Sequence, residues 1–455
     1  MMPYPVRADV QERDTVVTPA RSGESTSPAP VGRAVPELAA GRVAAWRERG
    51  APPVELFTEA QARLGGVAGV RMGERAAVVV TGPEAVQHVL ARRADRYVKR
   101  SHRARLLIGD GVLAATGQAW KGQRRLLQAQ FTGRGMRRYE QRIATAARTA
   151  ADRWARYART GEVFDLGEEM RRFALDTIWR SLTGHPLDED AARDLAAVPA
   201  VVAALPGLPA DGTAAADAVA DELELIDAVA ARATAAARGG AAGPDGPGLL
   251  HVLLDAAATR PQYTDRLIRD ELVTLLVAGH ETAATTLTWL YLLLDRYPQA
   301  REAVLAAGPD GSAERRAAAS ALVHETLRLY PSAWLLPRVA AEDDLLAGFA
   351  VEAGTEILVC PYLAHRDPLL WPDPERFDPG RFTPPGRRPA HPGAYLPFGI
   401  GPRACLGSQF ALRECTALLE LLLPAPAPRL RSVPAGAVYG LTVRPDGPAP
   451  AVLTA

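Results

Sequence analysis

Lysine is almost missing from this chain: of 53 lysines and arginines, only Lys99 and Lys121 are lysines. That bias, with abundant Ala, Gly and Pro, fits the codon usage of a GC-rich bacterial genome and carries no function. An excess of either charge is missing too. The formal net charge is +1, so nothing in the balance points to a nucleic-acid partner. Cysteine is scarce. Cys360, Cys405 and Cys415 supply neither a disulfide framework nor a Cys-x-x-Cys zinc pair, and a reducing, cytoplasmic setting fits. Long unbroken apolar runs are lacking as well. The longest apolar stretch, Leu272 to Leu294, carries Gly279-His280-Glu281 near its middle, and a charge at that depth costs several kcal/mol in lipid. It reads as a buried helix in a protein without a membrane anchor. Residues 1–35 contain no apolar core of the kind a signal peptide needs. They read as a disordered tail ahead of one globular domain, 36–455.

What is present is a chain of 455 residues, 48% hydrophobic, able to bury a core that encloses a sizeable cofactor. Val70-Arg71-Met72, the turn Gly73-Glu74 and Ala76 to Val80 read as a β-hairpin. Pro83 opens a helix to about Ala91, and helical patterns dominate from Trp120 to Arg238 with a break at Pro206 to Gly212. Gly239 to Gly248 is the most flexible-looking internal stretch. Thr264 or Asp265 caps a helix that continues to about Tyr297, before Pro298. At ~1.5 Å per residue such a helix crosses a whole domain. A second helix ends at Tyr330, strands follow near Pro337 to Ala340, Leu345 to Val351 and Glu356 to Cys360, and Leu406 to Leu423 is again helical. The fold class is mainly α with small peripheral β-sheets.

The strongest local signal is Phe398-Gly399-Ile400-Gly401-Pro402-Arg403-Ala404-Cys405-Leu406-Gly407. A thiolate that binds a metal must be held rigidly and aimed. Two glycines before Cys405 permit a tight turn with positive φ, and a helix start just after it favours negative charge on sulfur. Gly407 leaves room for a flat group to approach the backbone, and Arg403 can reach a carboxylate of that group. This stretch resembles, at every specified position, the F-x-x-G-x-R-x-C-x-G signature of the cytochrome P450 superfamily.

That resemblance implies a single triangular domain enclosing haem b, with Cys405 as the axial iron ligand and Phe398, Arg403 and Gly407 around it. Ala278-Gly279-His280-Glu281-Thr282 resembles the family's A-G-x-[DE]-T motif. It implies Ala278 beside the cofactor and Thr282 with Glu281 as the proton-delivering pair, leaving His280 as packing. Trp120-x-x-x-Arg124 and Arg338 resemble propionate contacts. Lys99 and His102 receive no role. Glu325-x-x-Arg328, with Arg376 of the Pro374-Glu375-Arg376-Phe377 segment, resembles the family's structural triad behind the cysteine loop. Ala283, Thr286, Trp334, Leu335 and Tyr439 line the substrate pocket by the same likeness.

The implied reaction is insertion of one atom of O2 into a hydrophobic small molecule. A bacterial natural product such as a terpenoid, polyketide, fatty acid or peptide fits. Electrons come from NAD(P)H through a ferredoxin and its reductase, docking on a basic face of Lys121, Arg125, Arg134, Arg137, Arg138 and Arg413, and the chain acts as a monomer. A peroxide-driven peroxygenase, or a haem isomerase or dehydratase, is the alternative on the same fold, and a haem sensor or carrier a third reading. Relatives that forgo dioxygen tend to lose the acid–alcohol pair, which Glu281 and Thr282 retain.

Overall fold

The computed structural model describes residues 32–73, 75–99, 104–207, 212–240, 243–383 and 389–453. The predicted tail thus falls almost wholly outside the described residues, as do Glu74 and His102. Arg33 and Ala34 pair in parallel with Phe349 and Ala350, so the folded part begins before residue 36.

The axis of the molecule is the helix Asp265–Arg296. Thr264 caps it by accepting from the Leu267 amide, and Pro298 opens the following helix. The first half of this long helix, Ile268 to Val277, is buried in an apolar cluster with Leu107, Phe131, Tyr139 and Val198. Its second half, Ala283 to Leu294, is buried in another with Trp154, Phe173, Leu322 and Leu418. Between the two cores lies the stretch from Ala278 to Thr282, where Ala278 is exposed and Thr282 half-buried. Gly279 faces the neighbouring helix Leu166–Thr183, where a Cβ would sit 2.8 Å from the Ile178 side chain.

The β-structure is peripheral. The largest sheet orders Val67–Met72, Arg75–Val80, Glu356–Val359, Leu336–Ala340 and Tyr97–Val98. The hairpin forms in the register Met72↔Arg75, and Val339 opposite Val98 brings Arg338 and Lys99 to the same edge. The expected continuous strand Leu345 to Val351 is instead two strands, Asp344–Leu346 and Phe349–Val351, because Ala347 and Gly348 turn with positive φ. The helix opened by Pro83 is regular only to Gln87 and widens into a π-turn at His88–Arg92.

Of the stretch from Gly239 to Gly248, residues 243–248 are tied down by side chains of neighbouring helices. Buried Arg142 donates to the carbonyls of Asp245, Gly246 and Pro247, and Arg180 pairs with the Asp245 carboxylate at 3.2 Å. Glycine here serves close approach: a Cβ on Gly243 would meet the Gly184 carbonyl at 1.9 Å.

Candidate active site

The cysteine loop spans the seam between the two cores. Phe398 packs on one, and Leu406 with Phe410 on the other. Gly399 and Gly401 adopt φ of 66° and 74°, a region costly for any side chain. Gly401 has a second constraint, since a Cβ there would lie 2.0 Å from the Leu90 carbonyl. The Cys405 amide donates to the Phe398 carbonyl at 2.8 Å, closing the loop, and Gly407 leads into the helix Ser408–Leu422. Cys405 is open to the seam yet surrounded at longer range by protein, and that desolvation pushes its thiol up, against the Gly407 amide and the Arg124 guanidinium. In the protein alone, desolvation therefore outweighs the expected help of the helix start.

Around this loop gather four cations. The Arg403 guanidinium lies 4.1 Å over the Trp120 ring and donates to the Ala115 carbonyl. Arg124 donates to the Ala404 carbonyl at 2.7 Å, and Lys99 to the Leu113 carbonyl at 3.0 Å. Arg338 is buried, and its guanidinium donates to the Pro337 carbonyl at 2.8 Å. Burial and mutual repulsion depress the group: Lys99 to about 7, with Arg338 and Arg403 adding to desolvation; Arg338 to about 10, with Arg403 adding; Arg403 to about 10, with Arg124 adding. No carboxylate lies within ion-pair distance of any of the four among the described residues. Uncompensated buried cations are costly, so the donor set is that of a site for an anionic group carrying carboxylates.

The same seam suits a flat group. Gly407 has an ordinary φ of −90°, and a Cβ there would meet nothing of the chain within 4 Å. Neither backbone strain nor protein packing calls for glycine at that position, whereas a planar ligand against the backbone would. Cys405 and Ala278 are exposed although their loop and helix run through the molecular core. Haem, with a planar macrocycle, two carboxylates and an iron that takes a thiolate, fits this combination.

A cytochrome P450 family profile matches residues 42–204 and 244–425. The chain belongs to the cytochrome P450 family. Among its relatives, cyclooctat-9-en-7-ol 5-monooxygenase of Streptomyces melanosporofaciens is 32% identical over 92% of this chain and 94% of its own length. Cyclooctatin synthase of the same organism is 32% identical over 83% and 84%. Of solved structures, the cytochrome P450DA haem domain superposes with a TM-score of 0.78 at 25% identity, covering 93% of this chain and 98% of that one. A six-coordinated cytochrome P450 from Thermus thermophilus gives 0.69 at 29% identity, covering 89% and 98%. The protein is thus a P450 monooxygenase, a class that uses haem and dioxygen and takes its electrons from redox partners. Among the described residues no helix is long and apolar enough to cross a membrane.

On the long helix, the Thr282 hydroxyl donates to the Ala278 carbonyl at 2.8 Å, leaving its lone pairs to accept. Glu281 is buried and points to Arg171, 3.3 Å away, and to His280, 3.4 Å away. Burial raises the Glu281 carboxyl, but His280 and Arg171 outweigh it and hold the group below the usual carboxylate range. Arg171 in turn pairs with exposed Glu168, so an ion pair lies beside Glu281 on its Arg171 side. His280 is buried, its Nδ1 on the Leu276 carbonyl at 2.9 Å.

Behind the P450 loop, Arg328 and Glu325 are fully buried and joined by two bonds of 2.8 Å. Burial pushes Glu325 up while the Arg328 fork pulls against it. The third member of this cluster is not the Arg376 side chain. Arg376 is exposed and contributes its carbonyl, which accepts from Arg328 at 2.9 Å. Arg381, five residues on, is buried with its guanidinium 3.5 Å from Glu325. Both arginines sit in a Pro-rich segment, and only the 3-10 turn Pro379–Phe382 decides which one points inward.

Of the residues expected to line a substrate pocket, Ala283, Thr286 and Trp334 are buried and Leu335 and Tyr439 partly exposed. Trp334 packs against Phe57 and Tyr439, and its indole N–H donates to the Gly440 carbonyl at 2.8 Å. Leu335 and Tyr439 join the same cluster. The open face of the long helix is the narrower pair Ala278 and Thr282. Lys99 is the residue the motifs did not single out; its signal is rarity, as one of two lysines in the chain.

Proposed function

We propose that this P450 hydroxylates or epoxidises a polycyclic terpenoid, with Cys405 as the axial ligand of haem b. Lys99, Trp120, Arg124, Arg338 and Arg403 would anchor the cofactor's carboxylates. The observation that carries the reading is the set of four cations, without a carboxylate partner among the described residues, around a loop whose glycines hold one cysteine toward the seam. When bound, haem supplies the oxidising chemistry through its thiolate-ligated iron. The residues of the chain orient and exclude: the two cores keep water from the seam, and Thr282 presents hydroxyl lone pairs beside Ala278. Glu281 delivers protons from the Arg171 side when that ion pair opens. The terpenoid assignment rests on the two Streptomyces relatives, whose matches cover 92% and 83% of this chain.

Electrons would arrive from a ferredoxin. Lys121, Arg125, Arg134, Arg137 and Arg138 are exposed, whereas Arg413 pairs with Glu140 at 3.3 Å. The test has two arms. Dithionite-reduced protein under carbon monoxide is expected to show the red-shifted Soret band of thiolate ligation, lost in Cys405→Ala; a persisting band would remove Cys405 from the iron. Titration with cyclic diterpene alcohols is expected to shift the ferric Soret band, and a response to fatty acids alone would move the substrate class.

A further inference from the structure

The carbonyl of Thr282 carries more donors than a helix supplies. Thr286, one turn on, donates its hydroxyl to it at 2.8 Å. Ser332, outside the helix, donates to the same oxygen at 2.9 Å. The two hydroxyl oxygens are 3.1 Å apart, and both residues are buried. A carbonyl has two lone pairs, so two hydroxyls compete with the amide that this oxygen would otherwise accept one turn later. The Thr282 hydroxyl meanwhile back-bonds to the Ala278 carbonyl. Back-bonding on consecutive turns loosens and bends a helix, and here it runs from the open stretch at Ala278 into the start of the second core.

Ser332 is itself fixed. Its carbonyl accepts from the Val443 amide at 3.2 Å, and the Val443 carbonyl accepts from the Trp289 indole of the long helix at 2.9 Å. Its hydroxyl therefore reaches Thr282 from a support anchored to that helix two turns away.

We propose that Ser332 is a positioning residue for the oxygen side of the site: with Thr286 it fixes the Thr282 peptide and so sets where the Thr282 hydroxyl is presented. The inference rests on the reading of Thr282 as the hydroxyl beside the reacting oxygen, and the test separates the two. The probe is carbon monoxide on the ferrous haem protein, whose C–O stretching band reports polar groups near the bound diatomic. Thr282→Ala is measured first; an unmoved band would overturn the reading of Thr282 itself, and the proposal with it. Given a shift there, Ser332→Ala is expected to broaden the band and move it toward the Thr282→Ala position. Ser332→Ala combined with Thr286→Val should move it further, while Ser332→Thr restores the wild-type band. Amide hydrogen exchange over residues 282–287 should accelerate roughly fivefold in Ser332→Ala, the worth of one neutral hydrogen bond. A lowered melting temperature with an unmoved band would make Ser332 merely structural and sink the proposal. If Ser332→Ala does not fold, Ser332→Cys carries the same comparison.

Discussion

A single buried carboxyl shows what one side chain can add to the stability profile. Glu271, on the long helix, accepts the Val112 amide at 3.0 Å through Oε2, while Oε1 is buried without a hydrogen-bond partner among the described residues. Burial, with Asp270 beside it, raises the group from 4.5 to about 7. The folded state then binds the proton more tightly than the unfolded one, so this group's contribution falls as pH rises from 4.5 through about 7. Glu271→Gln keeps an acceptor for Val112 and removes the charge. Its melting temperature should exceed wild type on the alkaline side of that window and converge with it on the acid side; a pH-independent difference would refute the assignment. At the hydroxyl proposed to serve proton delivery, Thr282→Ala should leave haem content unchanged and divert electrons from product to hydrogen peroxide, read as product per NAD(P)H oxidised. The loop around Cys405 was legible because its tight turns impose glycine and proline at fixed spacing, which a sequence displays. Lys99 was not, because only the pairing of Tyr97–Val98 with Leu336–Ala340 carries it to Arg338. Trp334 and Thr286 illustrate the same limit: a strand or helix position is readable, but the partner across the gap, Tyr439 or Ser332, belongs to tertiary packing.

Elements were legible where their ends carry chemistry. Thr264 and Pro298 bracket the long helix as read, and Gly73 turns the hairpin. Elements failed to show where a tertiary partner overrides local texture, as in the glycine-rich stretch pinned by Arg142 and Arg180. The cluster behind the cysteine loop is the case with the clearest test. Arg328 spends its donors on Glu325 and on the carbonyls of His365, Pro374 and Arg376, tying the helix Ala313–Leu329 to the Pro-rich segment. Breaking a buried pair costs roughly 3–5 kcal/mol, so Glu325→Ala should yield little haem-loaded protein. Arg381→Ala should lower stability measurably, whereas Arg376→Ala should stay within about 0.5 kcal/mol of wild type in denaturant melts. Equal losses from the two arginine variants would restore Arg376 to the cluster.

Across the whole molecule, near-neutral net charge conceals an uneven distribution. The exposed Lys121, Arg125, Arg134, Arg137 and Arg138 lie on adjoining helices, Gly117–Gln128 and Arg134–Thr160, the first of which also carries Trp120 and Arg124 toward the cysteine loop. An acidic electron carrier steered to such a face associates faster at low salt. Arg137→Glu with Arg138→Glu should raise the apparent KM for a plant-type ferredoxin about tenfold and flatten its dependence on ionic strength. The carbon monoxide spectrum of that variant should be unchanged.

The four cations at the seam come from distant points of the chain, from Lys99 to Arg403. In polymer terms, a ligand that engages all of them acts as a reversible cross-link between segments whose contact is otherwise entropically disfavoured. Without it their mutual repulsion acts as a spring that pushes those segments apart. Haem supply then becomes a thermodynamic variable of folding: the melting point should climb with free haem concentration by mass action. A cell short of haem would hold this enzyme nearer its unfolding threshold, where proteases set its abundance.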